Sequence, residues 1–102
     1  MNLITTREAL LLAILSEGEK YGRAIRDECK SRAEHALPLG SLYTTLGRME
    51  DKGLIRSRSE ESSAGRGGHR RTFYRITALG QKALSAYVER TGTVHNLVVA
   101  RA

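Results

Sequence analysis

Residues 39–55 read Leu-Gly-Ser-Leu-Tyr-Thr-Thr-Leu-Gly-Arg-Met-Glu-Asp-Lys-Gly-Leu-Ile. Apolar side chains recur in this segment at three- and four-residue spacing, which predicts a helix with one buried face; they are Leu39, Leu42, Leu46 and Met49. The opposite face carries small, hydroxylic, aromatic and cationic residues, namely Ser41, Tyr43, Thr44, Gly47 and Arg48. No carboxylate precedes Glu50 in this segment, so this face is better suited to close approach to a negatively charged partner than to exposure to water.

The composition predicts one basic globular domain. The chain has 102 residues, of which 40% are hydrophobic and 27% charged, and 17 Lys+Arg against 11 Asp+Glu give a net charge of +6. Such an excess favours a polyanionic partner, with nucleic acid ahead of an anionic membrane, although an inert basic surface would give the same count. A single cysteine excludes an internal disulfide. Neither a membrane span nor a signal peptide is apparent, which predicts a cytoplasmic protein.

Two helices are predicted before the quoted segment. Thr5-Thr6-Arg7-Glu8 has the form of a capping box, and Gly18 suits the turn that follows the first helix. That helix is apolar nearly all round, which favours burial against its own domain and also against a second subunit. The second helix is expected from Tyr21 to about Arg32, with Cys29 as a small core residue and not a nucleophile.

Beyond the quoted segment the hydrophobic period changes from 3.6 to 2. Residues 54–60 and 70–76 alternate like two paired strands, and the Gly- and Ser-rich segment between them is typical of a hairpin tip. Thr77 can cap a last helix from Ala78 to about Arg90. The order helix, helix, helix, hairpin, helix predicts a mainly α winged helix-turn-helix domain, with a two-stranded wing and a C-terminal dimerisation helix.

This arrangement predicts binding to double-stranded DNA. The major groove, about 12 Å wide, admits one helix whose leading face is short-chained. Between residues 56 and 75 six arginines face two glutamates, and arginine with flexible glycine suits phosphate contacts or the minor groove. The predicted DNA-binding residues are Gly40, Ser41, Tyr43, Thr44 and Arg48 in the third helix and Arg66, His69, Arg70 and Arg71 in the wing.

Gly47 lies inside the third helix, where glycine costs about 1 kcal/mol relative to alanine. Either the close approach of a ligand or another backbone, or the packing of a neighbouring helix, would explain it. The sequence favours neither explanation.

Several fragments, taken together and in order, carry a family resemblance: Gly40-Ser-Leu-Tyr43, Leu46-Gly-Arg-Met-Glu50, Gly53-Leu-Ile55, Gly65 to Thr77 with Gly80, and Leu12 to Gly22. They resemble the PadR family of transcriptional regulators over roughly residues 3–87. Thr44 stands where that family often has a proline. About 25 residues follow the wing, as in short-tailed members with a single C-terminal helix.

The resemblance implies a homodimeric repressor, commonly of detoxification or efflux genes. Some members are released by small aromatic or drug-like molecules, which leaves a small-molecule effector open as a further partner. Residues 1–77 would form the DNA-binding domain, and residues 78–102 would form the dimerisation helix and tail of the same compact unit. The residues expected at the subunit contact are Leu11, Leu15, Leu79, Ala83 and Tyr87.

Other chemistry is not indicated by the sequence. The three histidines, His35, His69 and His95, are too far apart to form a metal-ligand pair, and no cofactor motif is apparent. Adjacent carboxylates such as Glu50 and Asp51 point in different directions and make a poor acid–base pair. An enzyme is therefore not expected. The main alternative is a winged-helix module that binds a protein instead of DNA, and the arginines of the wing argue against it.

Overall fold

Four helices and a three-stranded sheet make up the described part of the chain, residues 3–33, 38–61 and 70–92 of the computed structural model. The elements are α1 (Thr6–Leu15), β1 (Lys20–Tyr21), α2 (Gly22–Ala33), α3 (Leu39–Asp51), β2 (Ile55–Glu61), β3 (Arg70–Ile76) and α4 (Ala78–Thr91). This order confirms the predicted winged helix-turn-helix class. Within the described ranges no helix is long and apolar enough to cross a membrane.

The predicted hairpin forms, and a short third strand joins it. β2 pairs antiparallel with β3 along its whole length. β1 pairs with the other edge of β3, with Lys20 opposite Tyr74 and Tyr21 opposite Phe73, so the strand order is β1-β3-β2. The sequence pattern predicts Tyr21 in the second helix and a sheet of two strands, and the structure differs on both points. A two-residue strand is too short to show the alternation by which strands are recognised.

The core is built around α1. Its side chains from Ala9 to Leu15, apart from the half-buried Leu10, are at most 1% exposed. α2, β3 and α4 all pack against this helix, which confirms its predicted burial in its own domain. Cys29 of α2 is equally buried, and this burial raises the pKa of its thiol to about 11, as expected for a core residue and not a nucleophile.

A buried carboxylate joins the start of α1 to the end of α3. The predicted capping box is present, because the Glu8 amide donates to Thr5 Oγ1 at 3.1 Å and the Thr5 amide donates to Glu8 Oε1 at 2.9 Å. Lys52 Nζ donates to Glu8 Oε2 at 2.8 Å. Burial alone raises the pKa of Glu8, but the hydrogen bonds from Lys52 and Thr5 outweigh it, and the pKa lies below its ordinary value. Glu8 is therefore ionised and paired at neutral pH.

α3, the hairpin and α4 meet at the backbone of Leu54. Gly53 ends α3 with φ 81°, in the left-handed region that favours glycine. The Leu54 carbonyl accepts a hydrogen bond from the Thr77 amide at 3.0 Å, and Thr77 Oγ1 lies 2.7 Å from the Gly53 carbonyl oxygen and 3.0 Å from that of Leu54. Thr77 Oγ1 also accepts from the Gly80 amide and so caps α4, as predicted. A Cβ at Gly80 would overlap the Leu54 carbonyl oxygen and lie 2.8 Å from Ile76 Cγ1, so α4 packs here without a side chain.

We expect Gly80→Ala to lower the free energy of unfolding by about 1–3 kcal/mol, because the new methyl group meets a backbone oxygen that can move only if α4 moves. Gly47→Ala is the matched control. No described atom lies within 4 Å of a Cβ at Gly47, so alanine should be neutral there or stabilise the helix by up to about 1 kcal/mol. Urea unfolding followed by circular dichroism measures both. Wild-type stability of Gly80→Ala would contradict the tight junction.

Candidate nucleic-acid interface

α3 has one face fixed in the core and another open to solvent. Leu42, Leu46 and Met49 are fully buried, as the periodicity predicts. The exposed residues of this helix include all five that were predicted from it, together with Gly47: Gly40, Ser41, Tyr43, Thr44, Gly47 and Arg48. The structure therefore gathers the predicted helix residues on one exposed surface, held by a rigid buried face.

The glycines of this surface are open to approach from outside. No described atom lies within 4 Å of a Cβ built at Gly40 or at Gly47. Packing of a neighbouring helix therefore does not explain Gly47 within the described part of this chain. Of the two explanations that the sequence left open, close approach of a partner remains.

The threonines of α3 bond back to their own helix. Thr44 Oγ1 donates to the Gly40 carbonyl and Thr45 Oγ1 donates to the Ser41 carbonyl, both at 2.9 Å. Since the hydroxyl proton of Thr44 is used inside the helix, its side chain offers a methyl group and an oxygen lone pair to a partner. In a major groove a threonine methyl suits contact with the methyl group of thymine.

Among the described residues, no side chain caps the start of α3. Pro38 is the N-cap residue and has no side chain that can cap, and the first turn contains no acidic residue. The first intrahelical bond runs from the Leu42 amide to the Pro38 carbonyl. The amides of Leu39, Gly40 and Ser41 precede it and lack intrahelical acceptors. The positive end of a helix favours an anion such as phosphate.

The wing residues can be placed only in part. Arg66 and His69 lie outside the described residues, and of Arg70 the structure describes the backbone in β3 but not the side chain. Arg71 is exposed, with its guanidinium carbon 5.2 Å from the centre of the Tyr21 ring. A cation over an aromatic face is held in place while its outer edge stays open to solvent.

The guanidinium group of Arg58 in β2 is bound by other side chains of the same chain, which the sequence pattern does not predict. Its Nε and Nη2 donate to the two carboxylate oxygens of Glu19 at 3.0 and 2.7 Å, and its Nη1 donates to Glu60 at 3.2 Å. The guanidinium also lies 4.7 Å from the centre of the Phe73 ring. The hydrogen bond to Glu19 raises the pKa of Arg58 and lowers the pKa of Glu19. The positive charge of Arg58 is thus compensated within the chain.

Unlike Arg58, Arg48 forms no ion pair with any of the described residues. The first carboxylate of α3, Glu50, is turned toward the wing. Its Oε2 accepts from the Ser57 amide at 3.2 Å and from Ser57 Oγ at 2.7 Å. The exposed face of α3 therefore presents an uncompensated cation, while the nearby acid binds β2.

The residues predicted at a subunit contact are mostly enclosed by their own chain. Leu11 and Leu15 lie in the core because α2, β3 and α4 already cover α1. Tyr87 is buried as well, with its hydroxyl 2.9 Å from Thr6 Oγ1. Ala83 is half-buried, whereas Leu79 is 51% exposed at the start of α4. Among these five residues, Leu79 therefore has the most apolar surface available to a partner.

Comparison with known proteins places this geometry among transcription factors. Residues 11–86 match the family model of the transcriptional regulator PadR-like family. A PadR-like transcriptional regulator from Bacillus cereus is 29% identical with a TM-score of 0.71, over 84% of this chain and 81% of that chain. A PadR family transcription regulator from Clostridium difficile is 32% identical with a TM-score of 0.67, over 81% and 83% respectively.

A third similar structure is that of Bacillus subtilis PadR in complex with operator DNA. It has a TM-score of 0.72 and covers 81% of this chain, which in turn covers 46% of that longer chain. At 20% identity the likeness is one of fold.

Proposed function

The chain belongs to the PadR-like family of transcriptional regulators, and we propose that it acts as a homodimeric repressor that binds operator DNA through α3 and the wing. The observation that carries this proposal is the exposed face of α3. It is short-chained and unobstructed at Gly40 and Gly47, and it carries Arg48, which forms no ion pair with the described residues. These are the properties that a helix needs in order to enter the major groove and lie against its phosphates.

Each group of this face has a distinct role in the proposed complex. Tyr43 donates its hydroxyl hydrogen to a phosphate, and the first amides of α3, which have no intrahelical acceptor, bind another phosphate. Arg48 binds phosphate or the edge of a guanine. Ser41 and the outward methyl of Thr44 contact base edges and give sequence preference. A protein of similar fold, Bacillus subtilis PadR, was solved in complex with operator DNA, which supports DNA as a partner for this fold.

The wing supplies contacts that do not depend on sequence. Arg66, His69, Arg70 and Arg71 follow the DNA backbone or enter the minor groove, where the negative potential is strongest. Arg58 belongs to the same hairpin but is excluded from this role, because Glu19 and Glu60 already compensate its charge.

In the proposed dimer, residues 1–77 bind DNA and residues 78–102 provide the subunit contacts. Two copies would read half-sites about one helical turn, or ~10 bp, apart. Leu79 is central to this contact because it exposes a large apolar side chain in the single chain.

Salt dependence separates this function from the alternative of a protein-binding module. DNA binding through phosphate contacts weakens steeply as salt rises. If the wild-type protein binds neither random DNA at low salt nor any sequence selected from a random pool, the proposal is wrong. That result would favour the protein-binding module.

We expect Arg48→Ala to weaken binding to selected and random DNA alike by about tenfold, since it removes a charge-assisted contact. The slope of log affinity against log salt should fall by about 0.9 for each subunit bound. Arg58→Ala is the matched control, with the same change in formal charge but little expected loss, because Glu19 already holds Arg58. Fluorescence anisotropy at several salt concentrations measures both. Equal losses would mean that Arg58 also contacts DNA, or that only net charge matters.

We expect Thr44→Ser to change which sequence is preferred without changing the salt slope. Loss of one methyl contact should reduce the preference for thymine at one position of each half-site by roughly fivefold, equivalent to about 1 kcal/mol. Thr45→Ser is the control, since Thr45 makes the same bond to its helix but is half-buried. Selection from a random pool, followed by sequencing, compares the variants. An unchanged preference in Thr44→Ser would contradict base contact by this residue.

We expect Leu79→Asp to convert the dimer to a monomer, because a charge would be buried in the apolar contact. Sedimentation equilibrium should then give half the wild-type mass. Gln81→Asp, two residues further along α4 and on a different side of the helix, is the control and should remain dimeric. A dimeric Leu79→Asp protein, or a monomeric wild type, would contradict the proposed contact.

A further inference from the structure

Gly22 is a buried residue whose backbone conformation does not require glycine. It is the first residue of α2 and follows β1 directly. The described glycines with positive φ are Gly18, Gly53 and Gly92, so Gly22 has a backbone conformation that any residue can adopt. Glycine in a helix is less favourable than alanine. Its presence here therefore has a spatial explanation.

That space is occupied by the side chain of Tyr43. A Cβ added to Gly22 would lie 2.7 Å from Tyr43 Cε1 and 2.8 Å from Tyr43 Cζ, and it would overlap the hydroxyl oxygen. Real Cβ atoms do not come so close, so the phenol ring and the backbone of Gly22 are in direct contact. The overlapping atoms belong to the end of a side chain that is 43% exposed, and the ring can move outward without unfolding the core.

We infer that Gly22 is a positioning residue for Tyr43. Because Gly22 has no side chain, its backbone forms a flat surface, the seat, against which the phenol ring packs. This contact fixes the position of the Tyr43 hydroxyl beside the exposed face of α3. The inference rests on the proposed function in one respect, which is that the hydroxyl so placed contacts DNA.

The seat itself is anchored to the sheet. The residue before Gly22 is Tyr21, which lies opposite Phe73 in the pairing of β1 with β3, with ring centres 5.7 Å apart. The start of α2 is therefore tied to the strand that leads out of the wing. A tyrosine on an open helix face would lose rotamer freedom when it binds, whereas a ring already seated loses less. Gly22 thus contributes to DNA affinity without touching DNA.

A double-mutant cycle tests this coupling. Gly22→Ala should weaken binding to the selected DNA by about tenfold, because the displaced ring loses its bond to a charged phosphate. In a Tyr43→Ala background the same substitution should change affinity by less than about twofold, since no ring remains to be displaced. Tyr43→Phe, which keeps the ring and removes the hydroxyl, should match Gly22→Ala in its loss. Equal weakening by Gly22→Ala in both backgrounds would overturn the inference.

A second measurement does not depend on DNA. In protein with ¹³C-labelled tyrosine, the Tyr43 ring signal can be assigned by its absence from Tyr43→Phe. Gly22→Ala should shift that signal and leave the signal of the distant, buried Tyr87 in place. An unchanged Tyr43 signal would overturn the inference. If the wild type binds no DNA, the proposed function fails, and the ring signal still decides whether Gly22 seats Tyr43.

Folding of the variants gives the remaining check. If Gly22→Ala alone does not fold, the double variant Gly22→Ala, Tyr43→Ala should fold, because removal of the ring removes the overlap. Thermal unfolding should place the double variant at or above Tyr43→Ala alone, since alanine is favoured over glycine in a helix. A double variant that also fails to fold would show that Gly22 is needed for another reason and would overturn the inference.

Discussion

The Leu54 carbonyl, which accepts a hydrogen bond from the Thr77 amide, is the point on which the arrangement of the interface depends. α3 ends just before it, β2 begins just after it, and α4 begins after Thr77. The left-handed turn at Gly53 and the missing side chain at Gly80 let these three elements meet so closely. α3 and the hairpin leave one junction, and they are joined there by the backbone bond at Leu54 and by the Glu50 side chain of α3, which bonds to Ser57 of β2.

The carboxylates of the described residues decide which cations are available to a polyanion. Glu19 compensates Arg58, Glu8 pairs with Lys52, and Glu50 bonds to Ser57 instead of neutralising α3. Exposed ion pairs such as that of Arg58 with Glu19 contribute little stability on their own. Their effect here is on the distribution of charge, since the acids are drawn away from the helix face that carries Arg48.

The features that could be predicted from the sequence are those determined by residues close together in the chain. The capping box at Thr5 and the boundaries of α3 and α4 follow from periodicity and from caps within a few residues. The rest depends on contacts between distant residues. Arg58 and Glu19 are 39 positions apart, and neither the seat of Tyr43 on Gly22 nor the two-residue strand β1 leaves a pattern in the sequence. Likewise, the apolar sequence of α1 does not show which of its side chains are already buried within the same chain.

Thr44 shows how a departure from the family pattern changes the helix itself. A proline at this position, as the family often has, could not donate a backbone hydrogen bond and would bend the helix at its exposed face. Threonine keeps its amide, and its hydroxyl donates to the carbonyl of Gly40 as well. The helix therefore runs from Leu39 to Asp51 without interruption. Ser41 and Arg48 then lie along one straight face, so their separation is fixed by regular helical geometry and not by the angle of a kink.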